Sequence, residues 1–255
     1  MQIRFLGAHN CETKSTRLVS LLVDGVLAVD VGGLTSALTF EEQQKVEAVL
    51  LTHQHFDHVR DVPTLAMTLF FGGSKTVIYA TPPVFKVLEN NLMDGVIYSD
   101  FRRRRPEGPI VSFSVVEPGK AQKILDYDVL AVPVKHSVPT VGYQLTRGGK
   151  SFFYTGDTGP GLRECWEQVS PQLLVTEVTA PNRFTGWGEK EGHLTPELLQ
   201  RELTDFKELK GYLPRVVIVH MSPHLEKEIA GQVTAVAEKL EADISLAYEG
   251  MEVNL

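Results

Sequence analysis

Directly after the apolar run Val46–Leu51 stands Thr52-His53-Gln54-His55-Phe56-Asp57-His58, three histidines and one aspartate in close succession. A short apolar run of this kind reads as a buried strand. A strand that ends in four metal-type donors constrains the fold more than any other feature here, because its end has to open on a polar site. Alternation puts His53 and His55 on one side of an extended chain. Asp57 and His58 reach a neighbouring position if the chain then bends into a helix. Imidazole is the common ligand of zinc and similar divalent ions, and a carboxylate adds a hard, charge-neutralising oxygen. Four donors in two pairs point to two metals rather than one.

Three further residues stand at comparable strand ends. His136 follows Val129–Val134, Asp157 follows Ser151–Thr155, and His220 closes Val216–Val219. Each alone reads as a structural histidine or a turn aspartate; together with residues 53–58 they complete two metal sites.

Other apolar runs, among them Leu18–Val23, Val26–Val31, Thr76–Ala80, Ile110–Val116, Gly142–Leu145, Leu173–Thr176 and Ser245–Leu246, predict more strands, and Met1–Gly7 reads as the first of them rather than as a signal peptide. Helices are predicted over Asp61–Phe71, Pro82–Leu92, Thr195–Lys207 and Glu226–Glu241, with Thr195 as N-cap and Pro196 at the first helical position. Asp24-Gly25 predicts a hairpin turn and an antiparallel start, whereas later strands alternate with helices. The fold class is therefore α/β, two sheets face to face with helices outside, in one domain over residues 1–255.

Composition narrows the function. With 255 residues, 43% hydrophobic and 22% charged, the chain is an ordinary globular one, which excludes disordered, collagen-like and disulfide-scaffold classes. No apolar run approaches the roughly 18–20 residues of a membrane span. A net charge of −7 shows no global nucleic-acid footprint. Cys11 and Cys165 form no CxxC pair, which fits a reducing compartment, so the cytoplasm is the expected location. One composition break, Phe101–Pro109, holds the run Arg102 to Arg105; it reads as a solvated loop, with phosphate contact as the alternative.

The ordered motifs resemble the metallo-β-lactamase-fold hydrolases. Their HxHxDH signature is similar to His53, His55, Asp57 and His58; their later ligands match His136, Asp157 in Gly-Asp-Thr, and His220; and Asp30 matches an early structural aspartate. The resemblance implies a four-layer αββα sandwich of two mixed sheets. It also implies one ion on His53, His55 and His136 and a second on Asp57, His58 and His220, with Asp157 bridging. Zinc is the default, with manganese or iron open. Two such ions, roughly 3.5–4 Å apart, hold a nucleophilic bridging hydroxide that Asp57 helps to orient.

Val175–Thr179 and Gly192–Thr195 resemble the paired motifs of the RNase Z and class II cyclic-nucleotide phosphodiesterase branch. In that branch Glu177 would orient His193, and His193 would stabilise or protonate the leaving oxygen. The short interval from His136 to Asp157 leaves no room for an RNA-gripping arm, and the acidic charge points the same way. The expected function is thus a metal-dependent phosphodiesterase for a small, for example cyclic, nucleotide, with large structured RNA disfavoured as partner. Alternatives are a glyoxalase II-type thioesterase or lactonase, which shares all seven ligands, an RNase Z-like ribonuclease, or a non-enzymatic nucleotide sensor. Related families often dimerise, which leaves a homodimer open. His9 reads as structural or as lining the site mouth, and His224 as an exposed loop residue. Trp187, in a Gly-rich loop, is read equally as a base-stacking or a packing residue.

Overall fold

The computed structural model describes residues 1–102 and 108–255; Arg103, Arg104 and Arg105 of the basic run lie outside the described residues. Asp24 and Gly25 both take positive φ, 49° and 74°, at the centre of a turn that the Val26 N–H closes on the Val23 carbonyl. They join strand β2 (Ser20–Val23) to β3 (Leu27–Val31) in antiparallel register, as predicted.

Two compact units result. The first comprises residues 1–7, 12–117 and 249–254. Its sheet contains β1 (Gln2–Gly7), β2, β3, β4 (Ala48–Leu50), β5 (Thr76–Ala80), β6 (Val111–Val115) and β14 (Glu252–Asn254). They lie in the order β14-β1-β2-β3-β4-β5-β6, antiparallel up to β3 and parallel from there on. The core of this unit forms where Val49, Leu51 and Ile78 meet Leu65, Ala66 and Leu69 of the helix Val62–Gly72. Burying each leucine is worth about 1.5–3 kcal/mol. Gly73 ends that helix at φ 80°, a left-handed cap that glycine adopts without strain.

The second unit comprises residues 8–11, 118–248 and 255. Its sheet contains β7 (Ala121–Ile124), β8 (Tyr127–Pro133), β9 (Val141–Arg147), β10 (Lys150–Tyr154), β11 (Leu173–Glu177), β12 (Arg215–Val219) and β13 (Ile244–Leu246). From β7 to β10 they pair antiparallel, and from β10 through β11 and β12 to β13 parallel. Its core includes Val216, Ile218, Leu198, Leu203 and Phe206, the last three from the helix Pro196–Lys210. Thr195 caps that helix by accepting from the Leu198 N–H, as its Thr-Pro start predicts. Buried in the same helix, Glu202 accepts hydrogen bonds from the Gly161 and Leu162 N–H groups and from the Trp166 indole.

Both sheets are mixed and carry helices, as expected of an αββα sandwich. The helix Glu226–Leu240 also stands where predicted. Elsewhere the structure corrects the sequence reading. The Gly-rich stretch around Trp187, residues 184–188, is not a loop: a 3-10 turn, Asn182–Phe184, runs there into the helix Thr185–Glu191. The segment predicted as one helix over Pro82–Leu92 is α-helical only to Val87 and then widens into a π turn, Leu88–Leu92. The helix Arg163–Gln168 and strands β7 and β14 have no counterpart in the sequence reading. No helix among the described residues is long and apolar enough to cross a membrane.

Candidate functional site

In the first unit the site begins at Asp30. It is fully buried, with a φ of 51°, a left-handed backbone that Asp and Asn tolerate better than most residues. Its carboxylate accepts from the Thr52 N–H at 2.9 Å, from the Thr52 hydroxyl at 2.9 Å and from His58 Nδ1 at 2.7 Å. The Thr52 hydroxyl in turn meets His53 Nδ1 at 3.0 Å. Once that hydroxyl donates to Asp30, it accepts from His53 Nδ1, so both rings carry their proton on Nδ1 and their lone pair on Nε2. This is the usual arrangement behind metal-ligating histidines.

After His53 and His55 the chain turns into the short helix Phe56–Val59, as the sequence reading required. The turn brings the His58 ring to 4.2 Å from His53, centroid to centroid, with His55 4.7 Å from His53. Asp57 Oδ2 lies 3.6 Å from His58 Nε2. Gly32 makes the turn possible: a Cβ there would stand 1.8 Å from the Asp57 carbonyl oxygen.

The second unit repeats this wiring. Glu177, at the end of β11, is fully buried and accepts from the Thr158 N–H at 2.8 Å, His193 Nδ1 at 2.8 Å, the Thr179 hydroxyl at 2.5 Å and the Leu194 N–H at 3.2 Å. Thr179 Oγ1 also meets His220 Nδ1 at 2.8 Å. An acid therefore holds one histidine directly and a second through a threonine in each unit: His58 and His53 on Asp30, His193 and His220 on Glu177. Thr52 and Thr179 carry these relays, and neither was singled out from the sequence.

Around Asp157 the donors converge. Its Oδ2 lies 3.4 Å from His220 Nε2 and 3.9 Å from His136 Nε2. His136 Nδ1 donates to the Gly192 carbonyl at 2.8 Å. Burial is the first cause holding the His136 pKa below its ordinary value, and the neutral ring is the form that binds metal. His193 lies in a stack of nearly parallel rings, 5.3 Å from Trp187 and 5.5 Å from His220. Asp157, Glu177, His193 and His220 together bring four donor atoms within 4.8 Å of one another.

Within each unit the predicted residues thus come together, His53 with His55, Asp57 and His58 in the first, His136 with Asp157, Glu177, His193 and His220 in the second. Trp187 packs on His193. His9 is buried beside Glu226, and His224 is exposed. Arg102 grips Asp100 through two hydrogen bonds, at 2.8 and 2.9 Å, and lies over the Phe113 ring. Among the described residues no cysteines are joined; Cys11 is exposed and Cys165 buried.

The family model described as a β-lactamase superfamily domain matches residues 21–221, and the chain belongs to that family. Its fold is shared with yeast PDE1, at a TM-score of 0.83 and 18% identity, covering 100% of this chain and 99% of that one. The 3′,5′-cyclic-nucleotide phosphodiesterase of Aliivibrio fischeri is 24% identical over 66% of this chain and 56% of its own length. The ribonuclease Z of Methanocaldococcus jannaschii is 29% identical over 39% of this chain and 30% of its own length. The chain thus spans less than two thirds of each of these curated relatives, both hydrolases by name.

Proposed function

We propose that the chain is a dinuclear metal-dependent hydrolase, acting on a small phosphodiester such as a cyclic nucleotide. The two units act as one domain over residues 1–255. The donor set fits divalent ions: imidazoles whose Nδ1 is held elsewhere ligate through Nε2, and carboxylates supply oxygen and negative charge. His53, His55 and His136 would hold one ion and Asp57, His58 and His220 the other, with Asp157 available to both and zinc the metal such histidine-rich sets favour. When bound, the ions supply an ionised water at neutral pH and neutralise charge on the phosphoryl oxygens.

The chain's own residues do the rest. Asp57 orients the attacking water. The Glu177 carboxylate keeps the His193 proton on Nδ1 in the neutral ring; when His193 is also protonated on Nε2, it donates from there to the leaving oxygen. The contact of His193 with a four-fold bonded, fully buried Glu177 carries the phosphodiester reading. A thioester leaves as a thiolate that needs no such acid.

The test is a turnover panel with metal analysis: a bis-aryl phosphate, cyclic and linear nucleotides, a precursor tRNA, a thioester and a lactone. His193→Ala is expected to lower kcat on an alkoxide-leaving phosphodiester by about 100-fold or more, the usual scale of a lost general acid. A variant at the wild-type rate, or a wild-type preference for the thioester, overturns the reading. The match to ribonuclease Z favours RNA as the second reading, which the precursor arm decides.

A further inference from the structure

The His193 ring is tied by hydrogen bond at one atom only, where its Nδ1 donates to Glu177 Oε1 at 2.8 Å. One such bond leaves an imidazole free to tilt and swing about it. Two nearly parallel rings of the same unit flank it, His220 at 12° and Trp187 at 9°. His220 is itself anchored, its Nδ1 on the Thr179 hydroxyl at 2.8 Å. Trp187 has a different setting. It stands on the short helix Thr185–Glu191, of which only Gly188 is buried, so core packing does not account for the ring. Backbone bonds keep indole and imidazole on one rigid turn, since the N–H groups of Gly192 and His193 both donate to the Gly188 carbonyl at 2.9 Å. A stacked aromatic pair held in this way restricts tilt at little entropic cost, because both rings have few rotors.

We infer that Trp187 is a positioning residue for phosphodiester cleavage: its indole backs the His193 imidazole and keeps Nε2 aimed at the leaving oxygen. The inference rests on the phosphodiesterase reading, in which His193 is the proton donor. Proton transfer depends on that aim, and a small misplacement of the donor is felt in kcat rather than in binding. One aromatic contact sets the scale, about tenfold in the ratio of held to released ring.

Two measurements test it, one of them without substrate. On an alkoxide-leaving phosphodiester, Trp187→Ala is expected to lower kcat about tenfold with KM within about twofold, and Trp187→Phe, which keeps a flat ring, to restore most of the loss. In a His193→Ala background the same Trp187→Ala change should have no further effect, because the two residues act as a unit. The second measurement is proton NMR of the His193 Nδ1–H, assigned by its absence in His193→Ala. That proton exchanges with water only when the ring leaves Glu177, so Trp187→Ala should speed its exchange about tenfold. An unchanged kcat, a loss as deep in Trp187→Phe, a loss undiminished in the His193→Ala background, or an exchange rate indifferent to Trp187→Ala overturns the inference. A loss taken in KM alone also overturns it and makes Trp187 a substrate wall. Wild-type protein that turns over no phosphodiester sinks the phosphodiesterase reading instead, and the exchange rate still decides whether Trp187 holds the ring.

Discussion

Replacing Asp30 by Asn tests whether a carboxylate that touches no substrate sets the state of the candidate metal ligands. Asn tolerates the same left-handed backbone and nearly the same volume, so strain and cavity terms are small. What changes is the acceptor count. Asp30 takes three donors, the Thr52 N–H, the Thr52 hydroxyl and His58 Nδ1. An amide oxygen left on the Thr52 N–H turns its NH₂ toward the other two. The Thr52 hydroxyl then rotates, and His58 must accept on Nδ1 and carry its proton on Nε2, the nitrogen assigned to the metal. Replacing charged acceptors for two buried donors costs about 1–3 kcal/mol each, partly recovered by the new amide contacts, so about 2–3 kcal/mol of stability is expected to go. Metal affinity at the ion assigned to His58 should fall about 10–100-fold, as for other groups that orient a ligand. Urea unfolding followed by circular dichroism reads the first quantity. Metal titration of chelator-stripped protein reads the second. Asp30→Asn protein that binds both ions as tightly as wild type would refute the reasoning, because the His58 tautomer would then not depend on Asp30.

Other residues give sharper single outcomes. Glu202→Ala strips the acceptor from two backbone N–H groups and the Trp166 indole and is expected to cost about 3 kcal/mol in urea unfolding; a loss under 1 kcal/mol would show that water reaches these donors. Gly32→Ala drives a methyl into the Asp57 carbonyl, so this variant should bind less metal than wild type at equal protein, and full occupancy would contradict the close approach. Burial pushes the Cys165 thiol up to about 12, so a thiol reagent at pH 8 should modify Cys11 alone in native protein and both cysteines in urea, read by mass spectrometry; rapid native labelling of Cys165 would sink this.

Much of this site was legible because its chemistry is carried by residue types that packing alone rarely demands. His53, His55, Asp57 and His58 follow one strand at fixed spacing, and His136, Asp157 and His220 mark three more strand ends. What the chain concealed is whatever acts through a common residue. Thr52 and Thr179 look like any strand-end threonine, and their relays exist only once Asp30 and Glu177 are folded against them. Gly186 and Gly188 lower helix propensity and so read as loop. Yet Gly188 is held in the helix by contact, since a Cβ there would stand 2.8 Å from the His193 carbonyl oxygen. Strands β7 and β14 are short, half-polar edges with too little periodicity to announce themselves.

The pairing of β14 with β1 has a bearing on how the chain is made. Residues 2–4 find their antiparallel partner only at residues 252–254, so this edge of the first sheet waits until residue 254 has left the ribosome. The second unit, almost all of it between residues 118 and 248, is complete before then. Synthesis runs from the N-terminus, but the order of closure here is reversed, and the outer edge of β1 stays open to wrong partners until residues 252–254 have been made. A chain stalled or clipped between residues 247 and 251 would carry a finished second sheet and a first sheet with an open, pairing-competent rim.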